Sequence, residues 1–277
     1  MRTSNLISCT TKVTGLLLAA ALMASCTKSS ENNAGPDVSN TFIPAQNKKF
    51  VYDIQTDGST GTATQWISGQ KDSSGIKVYN LHSEIESSGT TMPLDNKIFT
   101  LNGKTYNEIK VPEAWNYVIT LLNNMPNTTV TNAQLFGFPA YMTMENVIKN
   151  GSVLSLDGPL QQGQRIDYIS NGDRCSMVQN IMLESGTSMV ETIQVPAGSF
   201  VCNKFSYAYY NEITSTTRYG TLVGNGEEQI DVWVAHGIGI VKQQSSARLV
   251  TMVPLPTGEV REVVSLTNSS TTLKDIQ

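Results

Sequence analysis

Val195-Pro196-Ala197-Gly198, with strand-like runs on both sides, is the stretch that most limits what this chain can fold into. Pro196 fixes φ at the second position of a turn and Gly198 suits the fourth, the pattern of a type I turn. With Gly198 left-handed, the loop becomes a three-residue hairpin connection with a bulge. Val195 then faces Ser199, Ile193 faces Val201, Glu191 faces Asn203 and Met189 faces Phe205. Glu184-Ser185-Gly186-Thr187 reads as a second turn. Closing it pairs Met182 with Met189, Asn180 with Glu191 and Val178 with Ile193. One sheet face then carries two apolar rows with a polar row, Asn180, Glu191 and Asn203, between them. Asp231 to Lys242 reads as a partner strand that bends at Gly237 and Gly239. Those glycines are not a phosphate loop, which needs a third glycine and a following helix.

The same register bears on two of the cysteines. Cys175 sits two strands from Cys202 and about four residues away in level, ~13 Å along the strands. A disulfide needs Cα atoms within ~7 Å, so the geometry argues for two buried thiols rather than a bond.

The chain opens with an address. Arg2 and Lys12 precede an apolar run, Val13 to Met23, that is too short for a bilayer, which takes ~20 residues. Residues 1–25 read as a secretory signal peptide and are set apart from the fold. The run ends Leu22-Met23-Ala24-Ser25-Cys26, which resembles the bacterial lipoprotein cleavage box, with Met23 where leucine is usual. The resemblance implies that Cys26 becomes the acylated N-terminus, with three acyl chains, and two or more chains hold a protein stably to a membrane. Residues 26–40 are the lipidated cysteine and a flexible tether, poor in apolar residues and reaching ~20 Å as a coil. The expected location is the outer membrane, on its periplasmic side or at the cell surface.

Removing the two leader cations leaves 17 basic against 23 acidic residues, a net charge of −6 from Cys26 onward. There is no block of Lys or Arg, so nucleic acid is not an expected partner. The mature length can bury a sizeable core, and the abundance of Thr, Ser, Asn and Gly favours β structure.

Lys49 to Gln55 alternates, with Phe50, Tyr52 and Ile54 on one face. Thr62 to Ser68 and Ile76 to Glu86 follow as strands, separated by Asp57-Gly58 and Asp72-Ser73-Ser74-Gly75 turns. Asn102-Gly103 closes a hairpin within Ile98 to Tyr106. Pro112 then opens the one expected helix, 112–124, whose stripe Trp115, Val118, Ile119 and Leu122 recurs at helical spacing. Residues 127–150 are apolar but irregular, interrupted by Gly137 and Pro139. Strands resume at Ser152, and Val260 to Leu266 is the last one before a polar tail. Two halves, 41–150 and 151–277, share a weak repeat: Phe50–Ile54 is similar to Arg165–Ile169, and Gly75–Asn80 to Gly198–Asn203. The expected fold is mainly β, a curved antiparallel sheet or incompletely closed barrel wrapped on the helix.

Val195-Pro196-Ala197-Gly198, Phe200 and Cys202, followed by Trp233, Ala235, Gly237, Gly239, Val241 and Lys242, resemble an uncharacterised family of bacterial lipoproteins and periplasmic proteins. That family is similar to the lipoprotein-carrier superfamily, which implies a curved sheet around a helix. The match covers roughly Ser152 to Leu266, and no catalytic residue comes with it.

The residues give no sign of an enzyme. Only His82 and His236 could serve as a catalytic base of that type, and no metalloprotease motif, nucleophile elbow or paired-cysteine motif is present. His82, Glu84 and Glu86 share a strand face, which suits solvent better than a metal. No cofactor or metal is expected. Two readings remain. In one, an apolar or amphipathic small molecule sits between sheet and helix, touching Trp115, Ile119, Phe136, Phe138 and Tyr141, with Asn180, Glu191 and Asn203 orienting it. In the other, the chain is a structural or adhesive surface protein that contacts glycan or protein through exposed aromatics such as Trp66.

Overall fold

The computed structural model describes residues 40–277 apart from 88, 112, 160, 219 and 255–259. The expected signal peptide, Cys26 and all but the end of the expected tether lie outside the described residues. The described chain forms β1 (Lys49–Thr56), β2 (Ser59–Ser73), β3 (Ile76–Ser87), β4 (Thr90–Leu101) and β5 (Lys104–Ile109), then α1 (Glu113–Asn124). After the helix come β6 (Thr128–Phe136), β7 (Ala140–Glu145), β8 (Val153–Asp157), β9 (Gln161–Ser170) and β10 (Asp173–Glu184). The last five are β11 (Gly186–Val195), β12 (Gly198–Thr217), β13 (Gly220–Ala235), β14 (Gly239–Pro254) and β15 (Val260–Ile276).

Short turns set most of this order. Asp57-Gly58, Ser74-Gly75, Asn102-Gly103 and Asn171-Gly172 each place two consecutive residues at positive φ. Such pairs give the mirror-image turns whose twist matches paired strands. Pairing runs β11-β8-β7-β5-β4-β3-β2-β1-β15-β14-β13-β12 and returns from β12 to β11. The result is an antiparallel barrel of twelve strands with one short helix, so the mainly β expectation holds. β10, β9 and β6 continue outward from β12 as an extension of the same sheet.

The arrangement depends on the twenty residues of β12. Its first part pairs with β11, from Val195↔Gly198 to Ser188↔Phe205. Its second part pairs with β10, from Glu184↔Ala208 to Ser176↔Thr216. β10 and β11 therefore lie end to end along one strand, joined at Ser185, and are not the hairpin expected from Glu184–Thr187. Gly186 explains the joint. A Cβ there would stand 2.0 Å from the Ser206 carbonyl oxygen, so the glycine permits close contact with β12 rather than a reversal.

The 195–198 hairpin is present with a two-residue loop, Pro196-Ala197, one residue shorter than expected. A slip of one residue exchanges the faces of a strand. Ile193 now faces Phe200 and Glu191 faces Cys202. Val195, Ile193, Phe200 and Cys202 thereby join one apolar cluster with Trp233 and Ala235, while Val201 is exposed. Gly198 has φ 137°, a region that L side chains rarely adopt. There is space for a Cβ, which would stand 3.7 Å from the Phe200 ring. Gly198→Val should therefore lose about 1–2 kcal/mol through backbone strain. An unchanged urea midpoint would refute this.

Three more expectations are corrected. Asp231 to Lys242 is not one bent strand, because His236–Ile238 turn β13 into β14. The apolar stretch 127–150 contains β6 and β7. The polar tail after Leu266 is the end of β15, which pairs with β1 from Phe50↔Ile276 to Thr56↔Ser269 and so closes the ring.

The helix occupies Glu113–Asn124 and lies against β6. Trp115 is fully buried, and Val118, Ile119 and Leu122 are half-buried. Cys175 and Cys202 are both free. Ser176 pairs with Thr216, about fourteen residues along β12 from Cys202 or roughly 45 Å. Burial, with the Glu191 charge beside it, pushes the Cys202 thiol up to about 12, so it stays protonated and unreactive.

Before β1, residues Thr41–Ala45 join the barrel's clusters together. Phe42 packs in the cluster of Phe205, Val232 and Met142. Ile43 packs with Tyr79, Leu81 and Ile98, and Ala45 with Phe50 and Trp233. The β13–β14 turn holds the segment: the Ala45 amide donates to the Gly237 carbonyl at 2.7 Å, and the Gly237 amide to the Thr41 carbonyl at 2.8 Å.

Candidate functional site

β1 ends at Thr56, and β11 gives way to β10 at Ser185. Between those two limits the long strands β12–β15 expose one face, and three cross-strand rows cover it. The first row is Ser206, Asp231, Gln244, Ser270 and Gln55. The second is Glu184, Ala208, Gln229, Ser246 and Asn268. The third begins Met182, Tyr210, Glu227 and continues to Arg248 and Leu266. Paired residues of an antiparallel sheet project to the same side, so these rows share a surface. The intervening Tyr207, Tyr209, Glu228 and Ile230 are buried on the opposite side.

The first two rows, with Tyr210 and Glu227 of the third, floor an open cleft of about 850 Å³. The β1–β2 turn, Asp57 and Gly58, stands at one end, and Glu184 and Ser185 stand at the other. The Asn268 amide donates to Asp57 Oδ1 at 2.9 Å, which fixes that turn on β15. Tyr210 donates its hydroxyl to Glu184 Oε2 at 2.8 Å, and the bond raises the phenol's pKa, so it remains a donor. Gln229 Nε2 donates to Glu227 Oε1 at 3.0 Å. Asp231 accepts from Ser206 and lies 2.9 Å from Lys204 Nζ. Burial pushes Asp231 upward, but those two bonds and the charges of Lys204 and Lys242 hold it below the usual carboxylate range. Every lining side chain that carries a full charge at neutral pH is acidic: Asp57, Glu184, Glu227 and Asp231.

Under the floor, Glu228 is buried, and its Oε2 makes no hydrogen bond to a described residue. Burial raises its pKa above the usual 4.5, against the opposing effect of a bond to Ser245. A raised folded-state pKa means that this carboxyl's contribution to stability is full below its unfolded value and declines as pH rises through the folded one. Glu228→Gln should therefore melt about 2–4 °C above the wild type at pH 7. The difference should disappear below about pH 4.5. Parallel melting curves at pH 4 and pH 7 check this, and a variant that is less stable at pH 7 contradicts it.

The residues expected to line an apolar pocket do not converge. Trp115 and Phe138 meet edge to face at 6.0 Å in the core. Ile119 lies on the helix, half-buried. Phe136 packs on Gly163, where any Cβ would collide with its ring. Tyr141 lies 5.4 Å from Phe99, which stacks on Tyr106. The expected polar row is also dispersed. Asn180 pairs with Glu212 and Gly163. Glu191 accepts the Trp233 indole N–H at 2.7 Å. Asn203 is buried, bonded to the loop between β7 and β8. Trp66 is half-buried, with Lys49 over its ring at 4.8 Å and His82 at its edge. His82 Nδ1 lies 2.6 Å from Asp95.

Sequence reasoning passed over Tyr210, Gln229, Gln244 and Asn268, because the rows join positions from five strands that no local pattern connects. The available signal was the unbroken polar runs Gln243–Ser246 and Asn268–Ser270.

No family model matches the chain, and no curated protein matches it. Two solved structures are similar to it. One is a protein described as exported, with a YmcC-like fold, from Bacteroides fragilis: 15% identity over 86% of this chain and 99% of that one, TM-score 0.37. The other is a protein described as a lipoprotein, from Parabacteroides distasonis: 15% identity over 86% and 98%, TM-score 0.41.

Proposed function

We propose that this chain is a lipid-anchored protein of the outer membrane that binds a polar ligand in the cleft of β12–β15 and performs no reaction on it. The observation that carries this reading is the cleft itself. Two registered rows made mostly of amide, hydroxyl and carboxylate side chains, with Tyr210 and Glu227 beside them, line a concavity whose volume suits a ligand. The cleft has better support than the apolar site beside the helix, where Trp115 and Phe138 pack against each other. The anchor rests on the residues around Cys26. Metabolic labelling with an acyl precursor should mark the wild type and leave Cys26→Ala unmarked, and equal labelling would remove the anchor from the proposal.

Native mass spectrometry of the lipidated protein, extracted from its own envelope, tests the ligand. A polar molecule retained by the wild type and lost from Gln229→Leu supports the cleft. A retained lipid that is indifferent to Gln229→Leu and lost from Phe138→Asp would return the site to the helix.

A further inference from the structure

We infer that the ligand of this cleft is an uncharged oligosaccharide, and that Tyr210 is the platform on which one sugar ring stacks. The inference rests on the cleft reading above and goes on to name the ligand's class. A sugar differs from other polar solutes in having a rim of hydroxyls around faces of C–H groups. A site for it combines an aromatic ring with paired donors and acceptors.

Tyr210 supplies the ring. It is 38% exposed, whereas Tyr207, whose ring lies on the other side of the sheet, is 6% exposed. Its hydroxyl is already bonded to Glu184, so the ring is what it offers a ligand. That bond also holds the side chain in place before binding, which limits the entropy lost on association. Directly across the strand pair stands Glu227, hydrogen-bonded to the amide of Gln229. Carboxylate and amide together present acceptors and a donor beside the ring, as adjacent sugar hydroxyls require.

Charge narrows the class. Four carboxylates line the cleft, against Lys204 paired with Asp231, Lys242 nearby and Arg248 opposite Glu227 at its margin, and this acidic excess disfavours phosphate, sulfate and uronate groups. The floor narrows it further. It is a sheet face, and its backbone groups are paired within the sheet, so a ligand must be held by side chains. An extended peptide gains its affinity from a free sheet edge, through main-chain bonds. A glycan brings its own hydroxyls. Neighbouring strands lie ~4.8 Å apart, so the first two rows repeat their polar groups across four or five strands. That repeat suits a chain of several sugars.

Equilibrium dialysis of the full lipidated chain in a sugar-free zwitterionic detergent tests this. The probes are neutral hexasaccharides built on glucose, mannose, galactose or N-acetylglucosamine, a galacturonate hexamer, and an uncharged Ser/Asn hexapeptide. At least one neutral hexasaccharide should bind saturably and at least about tenfold more tightly than the galacturonate hexamer. Tyr210→Ala should weaken it about tenfold or more, the loss of ~1.4 kcal/mol expected for a stacked ring. Tyr210→Phe, which keeps the ring, should stay within about threefold. Unchanged urea midpoints confirm that both variants fold. Equal binding by wild type and Tyr210→Ala overturns the platform. Binding of the peptide or the galacturonate but of no neutral sugar overturns the ligand class and leaves the cleft standing. If no probe binds and the envelope-purified protein also retains no polar molecule, the cleft reading falls with it.

Discussion

Shortening Phe42 to alanine should destabilise the folded chain by about 3–5 kcal/mol, the cost of emptying a large buried aromatic site. Phe42 is 1% exposed and Ile43 is fully buried, although both precede the first strand. Ordinarily a segment just inside a chain's flexible end is poorly held. Here two backbone hydrogen bonds to the β13–β14 turn hold it, and its consecutive side chains enter different clusters. The turn is shaped for this contact. A Cβ on Gly239 would stand 3.1 Å from Pro44, and φ at Gly239 is 76°. Denaturation of Phe42→Ala in urea should show a lower midpoint with an unchanged slope, and Lys48→Ala, at an exposed position beside it, should melt like the wild type. A loss below 1 kcal/mol for Phe42→Ala would mean that the segment is an accessory to the barrel. A loss of the expected size would make it part of the core.

Particular residues show which parts of this architecture could be read in advance. The Asp57-Gly58, Ser74-Gly75 and Asn102-Gly103 turns were legible because two successive positive φ angles restrict residue choice locally, while Asn171-Gly172 was passed over. The helix was legible because Trp115, Val118, Ile119 and Leu122 repeat at a period no strand shares. β7 was not legible: Ala140, Met142 and Met144 alternate with Tyr141, Thr143 and Glu145, but over only six residues directly after Gly137 and Pro139, too short a run to stand out in an irregular apolar stretch. The end of β15 was not legible either, since Ser269 to Ile276 becomes a strand through pairing with β1, over two hundred residues earlier. Gly186 misled for a physical reason. Glycine serves a tight reversal and a close approach equally well, and only the position of Ser206 decides between them. The cleft inherits this difficulty. Its polar rows depend on the register of β12 to β15, and the one-residue slip at Pro196-Ala197 shows how a small change in a loop redistributes every side chain after it.

Replacing Asn203 with alanine should destabilise the barrel by about 2–4 kcal/mol and open it at one seam. The ring closes where β8 meets β11, and that contact has only two registered pairs, Gly186↔Leu154 and Thr187↔Val153. The Gly151 amide donates to the Ser188 carbonyl at 2.8 Å and the Ser188 amide to the Ser152 carbonyl at 2.9 Å, and side chains add to the closure. Asn203, fully buried on β12, accepts the Lys149 amide at 3.1 Å and donates to the Val147 carbonyl at 2.8 Å. Ser188 donates to the Lys149 carbonyl at 2.8 Å, and Asn150 accepts the Val190 amide at 2.7 Å. Alanine at 203 would remove the acceptor of the Lys149 amide and the donor to the Val147 carbonyl, and leave a cavity at a fully buried position beneath the loop. Ser188→Ala removes one bond at a less enclosed position and should lose about 1 kcal/mol. Hydrogen exchange separates local from global loosening: amides of 153–154 and 186–188 should exchange faster in Asn203→Ala, while those of the β12–β13 pairing stay protected. Uniform acceleration would show that the seam has no separate stability. The seam also adjoins the cleft, because Gly186 is two residues from Glu184, which holds the Tyr210 hydroxyl. If the seam opens locally, Glu184 loses its fixed position, and Asn203→Ala should weaken ligand binding without altering any residue of the cleft.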